Sequence, residues 1–224
     1  MRRTGLSHQL VIWDFDGTIL DTEWPAYVAA KREYERLGVE LSFAAWQDTI
    51  GSADHRSWWD VLRSEVGDLG EPDDVVIARY RALKNELTDS YDLLPGVRSA
   101  FDRLAELAVA MAVASSSPID WVERHTKRHG LWAHFIAVAT RTDVGPERTK
   151  PHPDLFLLAA ERARVEPDRC VVIEDSAHGV TAARAAGMRV VVVPNRMTVG
   201  QDFSHAHRVC SSLEDLSIEE VLDL

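Results

Sequence analysis

LVIWDFDGTIL, residues 10–20, joins a short apolar run to two carboxylates and a glycine, and the architecture follows from it. Leu10, Val11, Ile12 and Trp13 make an apolar run of strand length, fit to be buried on both faces. The run stops at two carboxylates, Asp14 and Asp16. Side chains two apart on an extended chain point the same way, so both acids reach one small volume at the strand's end. Gly17 then lets the backbone turn away.

Beyond Leu20 the apolar period lengthens from two to three or four. Tyr27, Ala30, Tyr34 and Leu37 share one helix face, Lys31, Arg32, Glu33, Glu35 and Arg36 take the others, and Gly38 closes the helix. Ser42 caps a second helix with Phe43, Trp46 and Ile50 inward and Gly51 at its end. Trp59, Leu62 and Val66, with Trp58 beside them, mark a third helix, and Val76, Tyr80, Leu83 and Leu87 a fourth. With no strand among them, residues 22–91 read as a four-helix domain. Its tryptophans, Trp24, Trp46, Trp58 and Trp59, serve as core in this reading rather than as an aromatic wall over a ligand.

From Leu93 the short apolar runs return at residues 109–114, 135–139, 170–173 and 189–193, separated by helical patterns. Pro118 opens one of these helices, and others cover 154–163 and 176–187. Alternation of this kind predicts an α/β, Rossmann-like, doubly wound parallel sheet built from residues 1–21 and 92–224, interrupted by the helical insert. Ligands of such sheets bind beyond the carboxyl ends of the strands. That is where Asp14, Asp16, Ser115, Ser116, Ser117, Glu174 and Asp175 fall.

The chain has 224 residues, with 25 Lys and Arg against 36 Asp and Glu, a formal charge of -11 that argues against nucleic acid or an anionic membrane surface as the main partner. Two cysteines, Cys170 and Cys210, make no disulfide framework. The first residues lack the apolar core of a signal peptide, and no apolar run is long enough to span a bilayer. A soluble, cytoplasmic protein is expected, acting as a monomer, with a weak dimer as the alternative.

Four acids gathered at neighbouring strand ends raise one another's pKa values, so a cation is expected, and an all-oxygen site open to a phosphate oxygen suits Mg2+. The bland alternative is that Asp175 and Ser176 merely cap the next helix; it leaves the Asp14–Asp16 spacing unexplained. Lys150, in TKPHPD, can supply the positive charge such a cluster needs, and Ser115 can offer a hydroxyl to phosphate, although a loop lysine and a capping serine are ordinary features. His125 and His129 are four apart on a predicted helix, a zinc-compatible spacing with no third ligand, and are read as surface residues. His178 is placed near the site mouth and His152 in solvent.

Taken together, DFDGT at 14–18, VAS ending at Ser115, KPHPD from Lys150, and VIEDS with Gly179 and Gly187 behind it resemble the four motifs of the haloacid dehalogenase superfamily, in order. The insert resembles the helical cap of the subgroup that includes beta-phosphoglucomutase and many sugar-phosphate phosphatases. The resemblance implies that Asp14 is a nucleophile forming an aspartyl-phosphate and that Asp16 is the acid and then the base. It implies Mg2+ held by the Asp14 and Asp175 carboxylates and the Asp16 main-chain carbonyl, with Glu174 bound directly or through water. Ser115 and Lys150 would grip the phosphoryl oxygens. Thr18, Ser116 and Ser117 would contact substrate, and hinges near 20–22 and 90–94 would let the cap close; the residues themselves add Lys84, in ALKNEL, either as a positive charge presented to substrate or as a solvated helix lysine.

The expected activity is Mg2+-dependent hydrolysis of a small phosphorylated metabolite, a sugar phosphate. A mutase-like phosphotransferase is the alternative. The mutase's cap histidine falls at Ala26 and its cap arginine around Asp54, and both departures weigh against it. Haloacid dehalogenation needs neither a metal nor Asp16. A receiver-like module carries its acid pair ahead of the phosphorylated Asp and has no use for a large insert, and a silent phosphate-binding protein finds little support in intact motifs.

Overall fold

In the computed structural model, residues 9–47, 50 and 57–224 are described. Gly51, the expected end of the second helix, and Asp54 lie outside them. Strand β1 (Leu10–Trp13) is central, and the sheet order is β3-β2-β1-β4-β5-β6 with every pairing parallel. Its other strands are β2 (Ala110–Ser115), β3 (Phe135–Thr140), β4 (Cys170–Glu174), β5 (Arg189–Val192) and β6 (Arg208–Val209). The two-residue β6 is too short to leave a periodic signal, which is why the sequence shows five strands.

Period-two alternation sorts β1 between two cores. Val11 and Trp13 face one with Phe101, Leu104 and Val122, while Leu10 and Ile12 face another with Leu155, Phe156 and Ala183. Helices α5 (Val97–Glu106) and α6 (Ile119–Arg128) lie on the first side, with α10 (Ile218–Leu222). Helices α8 (Asp154–Ala163) and α9 (Ala177–Ala185) cover the second. Between β3 and α8 lies the short α7 (Arg141–Val144).

Trp13 pairs in register with Val113 and Ile173, and the Asp14 N–H extends the ladder by donating to Ile173 O at 2.9 Å. The ends of β1, β2 and β4 are therefore level. Since the chain moves outward from β1 in both directions, this level edge is the switch point where such sheets bind ligands.

The insert comprises α1 (Glu23–Arg36), α2 (Phe43–Gln47), α3 (Trp58–Val66) and α4 (Asp73–Asp89), around a third core of Tyr27, Ala30, Tyr34, Trp46, Trp58 and Leu62. Three expectations need correction. Phe43 is 37% exposed, only edging Tyr27 and Trp24. Trp58, not Trp59, is the buried member of its pair, because α3 turns Trp58 and Leu62 inward. Glu33, assigned to a polar face, is buried and accepts from Arg79 Nε at 2.7 Å and Nη2 at 2.5 Å, an ion pair that ties α1 to α4. Met197, from the loop after β5, is also buried in this core, and Gln47 Nε2 donates to its carbonyl at 2.8 Å.

Candidate active site

Asp14 leaves β1 into the space between the ends of β2 and β4. Lys150, fully buried ahead of α8, donates there to Asp14 and, at 2.6 Å, to Glu174 Oε1. Burial lowers an ammonium's pKa, but the Asp14 and Glu174 charges overcome it and hold Lys150 above its ordinary value. Glu174 is saturated: its Oε2 also accepts from the Asp175 N–H at 2.8 Å, the Ser176 N–H at 2.9 Å and Ser176 Oγ at 3.0 Å. The same chain turn places Gly179 against it, where a Cβ would stand 1.8 Å from Glu174 Oε1.

Asp175 is buried beside them. Its Oδ2 accepts from Asn195 Nδ2 at 2.7 Å, and the same amide donates to Gly17 O at 2.9 Å. Gly17 has φ +85, and a Cβ on it would lie 2.5 Å from Asp175 Oδ2, so the turn after the first strand needs glycine for both conformation and space. Sequence reasoning missed Asn195; its signal was its place after a strand end, in VPN.

Carboxylate oxygens of Asp14, Glu174 and Asp175 lie within 4.8 Å of one another, all buried. Burial, then the Glu174 and Asp16 charges, push Asp14 up to about 8 against the pull of Lys150. Asp175 is raised too, by burial first and then by Glu174 and Asp14. Two buried carboxyls that favour a proton, in an all-oxygen donor set, are what a hard divalent cation would replace. The residues present fit one.

Asp16 stands apart from that cluster, with three donors on its carboxylate: Thr22 Oγ1 at 2.8 Å and Trp121 Nε1 at 2.9 Å, both to Oδ1, and Ser115 Oγ at 3.0 Å to Oδ2. Ser115 is fully buried, and its oxygen also accepts from the Ser117 N–H at 2.9 Å. Ser116 Oγ is buried without a hydrogen-bond partner among the described residues.

Above these groups opens a cavity of about 900 Å³ between sheet edge and insert. Asp14, Asp16, Lys150, Asp175, Ser116 and Ser117 form its floor; Glu23, Trp59, Tyr80, Arg81, Lys84 and Asn85 are on the insert side. Lys84 lies over the Trp121 ring, 4.2 Å from its centroid. Burial, and then the Asp16 charge, raise Glu23 to about 7. Thr18 is not among the cavity-lining residues; its buried hydroxyl has no partner among the described residues.

The histidines differ from expectation. His125 is fully buried, its ring 4.2 Å from Trp121, and the side chain of His129 is only 10% exposed. His125 is turned from α6 onto Phe15 and Trp121, and His129 follows the helix as its C-cap. His178 Nδ1 lies 3.2 Å from Ile50 O, against the insert, and His152 is exposed.

Comparison with known proteins extends this geometry. A family model described as "Haloacid dehalogenase-like hydrolase" matches residues 11–193. The chain is 36% identical over 184 residues to the fructose-1-phosphate phosphatase YqaB of Escherichia coli (strain K12), covering 82% of this chain and 95% of that protein. It is 32% identical over 223 residues to hexitol phosphatase B of the same organism, with 94% and 95% covered. Among solved structures, CbbY from Rhodobacter sphaeroides in complex with xylulose-(1,5)bisphosphate superposes with a TM-score of 0.79 at 25% identity, covering 97% of this chain and all of that one.

Proposed function

The chain belongs to the haloacid dehalogenase-like hydrolase family, and from that premise we propose that it is a Mg2+-dependent phosphatase of small sugar phosphates, working through an aspartyl-phosphate. The observation that carries this reading is Lys150, buried and bridging Asp14 and Glu174, with Asp16 two residues beyond Asp14 at the floor of the same cavity.

Phosphoryl transfer needs positioning and charge neutralisation more than covalent machinery. Asp14 Oδ attacks phosphorus as the bond to the leaving oxygen breaks, and Asp16 passes its proton to that oxygen. Asp16 then takes a proton from water as the water oxygen attacks phosphorus, the Asp14–phosphorus bond breaks, and inorganic phosphate leaves. Lys150 neutralises Asp14 and the incoming phosphoryl oxygens. Ser116, whose hydroxyl has no partner among the described residues, and Ser117 line the cavity as donors for that anion. Ser115 is engaged with Asp16 and acts on phosphate through it.

Asp14, Asp175 and the main-chain carbonyl of Asp16 would hold Mg2+, with Glu174 behind them; the bound ion would supply charge stabilisation to the transferring phosphoryl group. The helical insert, residues 22–91, is the cap that selects the substrate, with hinges beside Asp21 and Tyr91. Glu23, Lys84 and Asn85, set among Trp59, Tyr80 and Trp121, offer the mixture of charge, amide and aromatic face that suits a polyhydroxylated substrate. Two relatives named above act, by their names, on a fructose phosphate and on hexitol phosphates. The two free cysteines suit a cytoplasm. Ala26 lines the cavity where a mutase-like enzyme would need its cap histidine, which disfavours phosphotransfer between sugar hydroxyls.

The test is phosphate release from a panel of sugar, polyol and nucleoside phosphates with MgCl2, beside Asp14→Asn. Release abolished by Asp14→Asn is expected. No release from any compound overturns the reading, and isomerisation of glucose 1-phosphate without release replaces it with the mutase.

A further inference from the structure

Resting on that phosphatase reading, we propose that Trp121 is a positioning residue for the acid/base: its indole N–H fixes which oxygen of Asp16 carries the proton. An indole N–H can only donate, so the Asp16 oxygen it meets must accept. That oxygen, Oδ1, receives Trp121 Nε1 at 2.9 Å and Thr22 Oγ1 at 2.8 Å, which fills both of its lone pairs. Oδ2 receives only Ser115 Oγ, at 3.0 Å, and has one lone pair left. The proton that goes to the leaving oxygen therefore sits on Oδ2.

The indole is itself held from two sides. His125 packs against it with ring centroids 4.2 Å apart, and Lys84 of the insert lies over its face at 4.2 Å, a cation–π contact. Trp121 thus belongs to the sheet domain yet is clamped by the insert. Without its N–H, the Asp16 carboxyl gains freedom to rotate and to hold its proton on either oxygen.

The consequence depends on the leaving group. As the Asp14–phosphorus bond forms and the phosphorus–oxygen bond breaks, an alkoxide must take the Asp16 proton, whereas p-nitrophenolate departs without one. The quantity to compare is kcat/KM, which covers steps up to the release of the leaving group and excludes the later hydrolysis of the aspartyl-phosphate. It is measured with saturating Mg2+ for p-nitrophenyl phosphate and for whichever of fructose 1-phosphate, glucitol 6-phosphate and ribose 5-phosphate the wild type hydrolyses fastest.

Trp121→Phe keeps a ring and removes the donor. Positioned acid–base groups contribute roughly 100- to 10,000-fold, so misplacing one without deleting it should cost the alkyl phosphate about 10- to 100-fold and p-nitrophenyl phosphate less than about 3-fold. β-(3-benzothienyl)alanine incorporated at position 121 replaces the N–H by sulfur at nearly constant shape, and should show the same selective loss even if the phenylalanine variant folds poorly. Equal losses on both substrates in the benzothienyl variant, or no loss, overturn the proposal. Where another compound of the panel above is hydrolysed instead, it takes the alkyl phosphate's place, and a wild type that releases phosphate from none of the panel removes the phosphatase reading and this inference with it.

Discussion

Lys150 Nζ lies 2.6 Å from Glu174 Oε1 while it also donates to Asp14, so a single buried ammonium joins the ends of the first and fourth strands. Glu174 is as much a structural keystone as a member of the acidic cluster, because two backbone N–H groups and the Ser176 hydroxyl also depend on it. Glu174→Ala leaves those donors and half of the Lys150 partnership unsatisfied inside the protein. Breaking a buried pair in this way costs about 3–5 kcal/mol. Urea unfolding should show a loss of that size, and a loss below about 1 kcal/mol would mean that Glu174 is not the anchor described.

Metal-free protein should lose stability as the pH rises. Asp14 has an ordinary pKa of 3.8 and is pushed to about 8 in the fold, chiefly by burial; Asp175 moves the same way, and Glu23 rises to about 7. A carboxyl whose folded pKa exceeds its unfolded one binds its proton more tightly in the native state. Its contribution is complete below the unfolded value and is lost as the pH climbs through the folded one. In EDTA the urea midpoint should therefore fall between about pH 4 and 8, and excess Mg2+ should remove the share of Asp14 and Asp175 while leaving that of Glu23. A midpoint that holds or rises in EDTA contradicts the assignment.

The parallel sheet was legible because β1 and its neighbours are buried on both faces and end in polar residues, a pattern that survives without knowledge of tertiary contacts. Asp14, Asp16 and Asp175 were legible as neighbours for the same reason, since strand ends converge once the topology is known, whereas Lys150, in a loop ahead of α8, was picked out by its KPHPD motif. Three things were not. The burial of Glu33 depends on Arg79, forty-six residues away, reaching across the insert. Trp121 looks like any apolar residue of an amphipathic helix until its N–H is seen beside Asp16. Asn195 carries no periodic signal; its role exists only where the loop after β5 meets Gly17 and Asp175.

That meeting carries its own prediction. Asn195 Nδ2 occupies one oxygen of Asp175 and so orients the carboxylate toward Asp14 and Glu174. Removing a residue that orients a metal ligand lowers affinity by roughly 10- to 100-fold. Asn195→Ala should weaken Mg2+ binding, followed by calorimetry on protein without substrate, by at least about 10-fold. An unchanged Mg2+ affinity would show that Asp175 holds its orientation without the amide.

His125 should govern part of the acid limb of stability. It is fully buried beside Phe15 and Trp121, and neither ring nitrogen has a hydrogen-bond partner among the described residues. Burial first, then the Arg124 charge, lower its pKa from 6.5 to about 4, against the smaller pulls of Asp89 and Asp16. Here the sign is opposite to that of Asp14: the fold holds the neutral ring, so this contribution is present above the unfolded value of 6.5 and is lost as the pH falls through about 4. His125→Phe keeps an aromatic ring against Trp121 and removes the titration. As the pH falls from about 6.5 to 4, the wild-type urea midpoint should decline relative to that of the variant, a difference in which the carboxyls common to both cancel. Parallel curves would mean that the ring finds a proton-accepting partner in the native state and that its burial carries no proton-linked cost.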